Sequence, residues 1–154
     1  MEKKPNSMKD PVLAFLLMFL AISAAGQERS GAAVFSTRAG AIDGYDPVAY
    51  FTRHQPVKGL PGITFEWEGA IWHFASKDNR ELFAEKPERY APQYGGWCAY
   101  GWAQGYPAKI DPEAWSIVDG KLYLNYSTGI RKKWEKKQAE YIDAAGKNYS
   151  AAVH

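Results

Sequence analysis

The chain has 154 residues, 19 Lys and Arg against 17 Asp and Glu, a net charge of +2, and aromatic side chains at 15% of positions. A charge this close to balance gives no ground for a nucleic-acid or anionic-membrane partner. The single cysteine, Cys98, excludes an internal disulfide, so stability must come from packing.

The first element is an export signal over residues 1–25. Lys3, Lys4 and Lys9 precede an uncharged stretch from Pro11 to Ala25, and Leu13 to Ile22 is almost wholly apolar. Small residues, Ser23-Ala24-Ala25-Gly26, close the run before Gln27-Glu28-Arg29 restores polarity. Basic, apolar and small segments in that order are what a signal peptidase reads, with cleavage after Ala25 or Gly26; the alternative is an uncleaved N-terminal anchor. The apolar core is shorter than the ~20 residues of a bilayer span. Cleavage predicts a periplasmic or secreted protein with no stable membrane span. It leaves about 129 residues, the size of one domain. All three methionines leave with the signal, whereas 21 of the 23 aromatic residues stay.

Residues 26–40 are small and polar and read as a flexible lead-in, with the ordered domain over 41–150. Asp46-Pro47 starts a short helix through Phe51, because Asp caps and Pro suits the first helical position. Pro56 to Gly62 reads as a loop. Thr64 to Trp67 and Ala70 to Phe74 form a β-hairpin around Glu68-Gly69, with Ala70, Trp72 and Phe74 on one face and Ile71 and His73 on the other. Ser76 caps a helix to about Glu85, with Leu82 and Phe83 turned inward. Pro87 ends it, and Glu88 to Tyr90 adds a turn.

The glycine-rich run Gly95 to Gly101 leads into a short helix from Trp97 to about Gln104. A second hairpin joins Trp115–Val118 to Lys121–Asn125 through Asp119-Gly120, a strong type I′ signal. Asp111-Pro112-Glu113 reads as a turn and cap. Ser127 caps a long helix, Thr128 to Ala145, with Ile130, Trp134, Tyr141 and Ile142 near one face. Arg131 to Lys137 carries five cations and one Glu, a solvated helix face. Two antiparallel hairpins, short helices and a long C-terminal helix make a small α+β domain.

The stretch from Trp67 to Tyr90 resembles the YHS domain, with Phe74-Ala75-Ser76-Lys77-Asp78-Asn79 followed by Phe83, Pro87 and Tyr90 in that family's frame. Gly44 to Phe51, Tyr94 to Tyr100, Asp111 to Trp115 and Asp119 to Tyr126 are similar to blocks of its exported bacterial branch. The resemblance implies an exported module with a metal role, copper first. It also places the family's metal thiols at Ala49, Ala75 and Asn79, none of which can donate sulfur.

The chemistry left in the mature chain is sparse. No G-x-S-x-G, P-loop, H-E-x-x-H or C-x-x-C motif is present, so no enzyme class is indicated. His54, in a loop, and His154, at the terminus, belong to solvent. His73 is either a half-buried histidine satisfied by a backbone carbonyl or a ligand or acid/base group. Cys98 is a small buried hydrophobe, a metal-thiolate or redox centre, or a partner in an intermolecular disulfide. Cys98 and His73 are therefore the candidate metal ligands, and a pocket near them is expected to bind a metal or small ligand. The alternatives are a thiol-based redox protein using Cys98 and a protein-interaction module with an aromatic pocket. A shared Cys98–His73 site needs thiol and ring within about 4 Å of each other.

Overall fold

Alternation along the first hairpin organises the core. The structure is a computed structural model and describes residues 33–154. The expected signal peptide lies outside the described residues.

Strand β3 (Leu60–Trp67) pairs antiparallel with β4 (Ala70–Phe74), in register Thr64 with His73, Phe65 with Trp72 and Trp67 with Ala70. Every second residue of β4, namely Ala70, Trp72 and Phe74, is buried, while Ile71 is exposed, as period-two alternation requires. β3 begins inside the expected loop, and the register shifts between Leu60 and Thr64, where Pro61 and Gly62 interrupt the ladder. Helix α2 (Lys77–Glu85) follows, its Ser76 hydroxyl accepting the Asn79 N–H at 3.1 Å. Phe83 then drops among Phe65, Trp67, Trp72 and Phe74, with ring centroids 5.1–6.1 Å away. Leu82 does not turn inward and is 38% exposed. Neighbouring helical residues point about 100° apart, and Phe83 already occupies the core direction.

Two short helices precede and follow this unit: α1 (Ala49–Thr52) and α3 (Pro87–Tyr90). Helix α4 (Ala99–Ala103) is shorter than the expected Trp97–Gln104 segment, because residues 94–96 take left-handed angles and Cys98 is the cap. The second hairpin pairs β5 (Asp111–Val118) with β6 (Lys121–Asn125) across Asp119-Gly120, both at positive φ. The Asp111 carboxylate accepts the Glu113 N–H at 2.9 Å, so the expected turn survives as an irregularity within β5. β6 is buried along Leu122 to Asn125 because Leu122 and Leu124 face one cluster while Tyr123 stacks on Trp134, 5.3 Å away, in another.

Two further expectations are corrected. The lead-in is not loose from residue 33 onward: strands β1 (Ser36–Thr37) and β2 (Gly40–Ala41) form a third hairpin, and Val34 and Phe35 are buried. Phe35 meets Trp97 edge-on at 5.0 Å and donates its N–H to the Gly95 carbonyl at 2.9 Å. Small polar residues hid two apolar anchors. The single C-terminal helix is two, α5 (Thr128–Glu135) and α6 (Gln138–Val153), broken at Lys137 where φ is −136° and ψ is 42°. The break lets α5 pack on the β5–β6 hairpin while α6 lies along α4, with Tyr149 meeting Trp102 and Tyr94.

Among the described residues there are thus three two-stranded antiparallel sheets and six helices, and the fold is α+β. None of these helices is long and apolar enough to cross a membrane.

Candidate functional site

Cys98 sits where four segments meet. It caps α4, and its Sγ accepts the Gly101 N–H at 3.3 Å and the Tyr126 N–H at 3.2 Å. Asn125 Oδ1 lies 3.6 Å from Sγ and also accepts the Tyr100 N–H at 3.0 Å. The Cys98 N–H donates to the Ala108 carbonyl at 3.0 Å. The thiol is 1% exposed and forms part of the lining of a cavity of about 240 Å³. Tyr100, Tyr106 and Tyr126 line it as well, with Gly101, Ala108 and Ile130. Tyr106 and Tyr126 leave 52% and 47% of their surface to water, so the aromatic wall is open at one end.

Burial pushes the Cys98 thiol up, and the N–H groups of Gly101, Tyr126 and Tyr100 only partly offset it. Desolvation wins because taking a thiolate out of water costs more than its hydrogen bonds return. A redox or nucleophilic cysteine needs the opposite shift. Cations stand over the tyrosine wall instead: Lys133 Nζ lies 4.9 Å from the Tyr100 ring centre and Lys109 Nζ 5.5 Å from that of Tyr126. Hydrogen bonding to Tyr100 raises the Lys133 pKa and keeps the ammonium charged.

His73 is elsewhere. It lines a different cavity with Ser36, Arg38 and Gly40, and its Nδ1 lies 3.4 Å from the Leu60 carbonyl oxygen. The ring lies against Gly40, where a Cβ would come within 2.5 Å of His73 Cδ2. His73 is therefore the half-buried histidine beside a backbone carbonyl. It lines the cavity of about 260 Å³ under the β1–β2 hairpin, and Cys98 does not. His54 and His154 are both exposed.

No family model, curated protein or solved structure matches this chain. The YHS resemblance therefore stands on the quoted residues alone.

At its three thiol positions the structure shows a different chemistry. Asp46 is fully buried, and its Oδ1 accepts the N–H groups of Val48 and Ala49 at 2.8 and 3.2 Å. Its Oδ2 accepts the Ala75 N–H at 2.8 Å and the Asn79 Nδ2–H at 2.7 Å. Ala49, Ala75 and Asn79 thus converge on a carboxylate. The donor set does not fit a protein-held metal at Cys98. No group of three or more His, Cys, Asp or Glu among the described residues is arranged to hold an ion. A closed tetrahedral site needs four ligands.

Sequence reasoning missed Asn125, Asp46 in its full role, and the tyrosine wall. Asn125 carried a signal: one amide ending an apolar strand, Leu122-Tyr123-Leu124-Asn125. A fully buried Asn must be tied to something, and here it holds Cys98 and the Tyr100 backbone. The tyrosines lie 26 residues apart in sequence from Tyr100 to Tyr126, so only the fold brings them together.

Proposed function

We propose that this chain is an exported, non-enzymatic YHS-like binding domain whose ligand occupies the Cys98 cavity. The cavity carries the reading: a preformed space walled by aromatic rings, with fixed polar groups at its floor. Its volume of about 240 Å³ falls just below the ~300–1,000 Å³ of drug-sized sites, which suits a fragment-sized ligand. Lys109 and Lys133 over the wall favour an anionic end, and the ring faces favour an apolar body. A small carboxylate with an aliphatic or aromatic tail fits both. Copper, which the resemblance implies, would draw one thiol from this site and no second ligand from His73. Export to the periplasm or beyond follows from the N-terminal pattern and belongs to the same proposal.

The test compares benzoate and hexanoate with benzamide and hexanamide in thermal-shift and calorimetric titrations of the mature protein. The carboxylates are expected to bind, the amides more weakly, and Ala108→Leu to abolish both. Carboxylate binding unaffected by Ala108→Leu would overturn the assignment.

A further inference from the structure

We propose that a second cavity, sharing no lining residue with the Cys98 site, binds a small organic cation, an ammonium-bearing ligand. Its volume is about 260 Å³. Trp67, Tyr94 and Tyr149 form aromatic walls, and Glu68 and Glu88 bring carboxylates from two separate elements, the β3–β4 turn and α3.

The hydroxyls of the two tyrosines are already engaged. Tyr149 donates its hydroxyl to the Ala33 carbonyl at 2.7 Å, and Tyr94 donates to the Ile142 carbonyl at 3.1 Å. What these two tyrosines can offer a ligand is the ring, whose face is negative and attracts cations. Glu68 and Glu88 are exposed and enter no ion pair among the described residues, and no Lys, Arg or His lines the cavity. Gln93 adds a neutral amide. Among the described residues, the charged side chains that line the cavity are therefore all acidic, whereas lysines flank the Cys98 cavity. Proximity of Glu68 is felt at the Tyr149 hydroxyl, where burial and then the Glu68 charge raise the pKa.

The backbone is closely packed at the edge of the cavity. Gly95 has φ of +63°, and a Cβ there would collide with the Ala33 carbonyl and come within 3.0 Å of the Tyr149 hydroxyl. Glu68 occupies a left-handed turn position, φ +51°, that Asn, Asp or Gly would take with less strain.

The experiment titrates the full mature chain with choline and with its uncharged isostere 3,3-dimethylbutan-1-ol, following assigned backbone amides by NMR. Choline is expected to shift Glu68, Gly69 and Gly95 but not Gly101 or Tyr126, so this site is read separately from the Cys98 cavity. Glu68→Gln with Glu88→Gln, both at exposed positions, is expected to weaken choline at least ~5-fold, and added salt to weaken it further. Equal shifts from the alcohol, undiminished affinity in the double variant, or no shift up to ~50 mM choline would each overturn the proposal.

Discussion

Replacing Asp46 with asparagine changes a single atom at Oδ2 and tests the buried hub that joins α1, β4 and α2. In the parent, Oδ2 accepts from Ala75 N–H and Asn79 Nδ2–H at 2.8 and 2.7 Å. The Asp46→Asn amide would turn a donor toward those two donors, while its remaining oxygen still serves Val48 and Ala49. The Asn79 side-chain amide can rotate to present its oxygen to the new donor, so the Ala75 N–H alone is left without an acceptor, at a cost of about 1–3 kcal/mol. About 2 kcal/mol is a sizeable part of the ~5–15 kcal/mol that holds a domain together. A domain of this size should lose roughly 6–10 °C in Tm at a few degrees per kcal/mol. Urea unfolding followed by circular dichroism measures it, and the midpoint should fall with the slope unchanged. A loss below about 1 kcal/mol, in the range of ordinary surface changes, would refute the hub.

The remaining expectations concern Cys98. Cys98→Ala strands the Gly101 and Tyr126 N–H groups and should cost about 3 kcal/mol in urea unfolding, whereas Cys98→Ser keeps an acceptor and should cost under ~1.5 kcal/mol; equal losses would mean that the sulfur acts only by volume. The folded thiol is raised above its unfolded value by burial, so the folded state holds a proton that the unfolded chain releases. That contribution is complete below the unfolded value near ~8.5 and is lost as pH rises from there toward the folded value. Alkylation of the native thiol should accordingly be slow at pH 7, and a rate matching a free thiol would contradict the burial argument. Titration of the reduced protein with Cu(I) is expected to give no site lost in both Cys98→Ser and His73→Ala; a one-to-one site lost in each would restore a shared centre.

What was readable in the sequence was local. Turn pairs at Glu68-Gly69 and Asp119-Gly120, caps at Ser76 and Ser127, and alternation along β4 each act over a few residues, and each is found in place. The break at Lys137 was not readable, because the amphipathic pattern of residues 128–145 is continuous and only the competing demands of the β5–β6 hairpin and α4 divide it. Val34 and Phe35 were missed because two apolar residues in a polar stretch carry no periodicity. For the site, Cys98 was visible as a chemical anomaly, but its surroundings were not. Cys98 and His73 line different cavities, and Ala75 and Asn79 join Ala49 on Asp46 across 29 and 33 positions of sequence, which only the fold brings about.

The Gly101 and Tyr126 amides both point at Cys98 Sγ and report directly on the floor of its cavity. Following these two resonances by NMR while adding hexanoate to the protein is the most direct measurement. Saturable shifts at both, lost in Ala108→Leu, are the predicted result; two resonances that stay fixed throughout the titration would contradict a ligand in the Cys98 cavity.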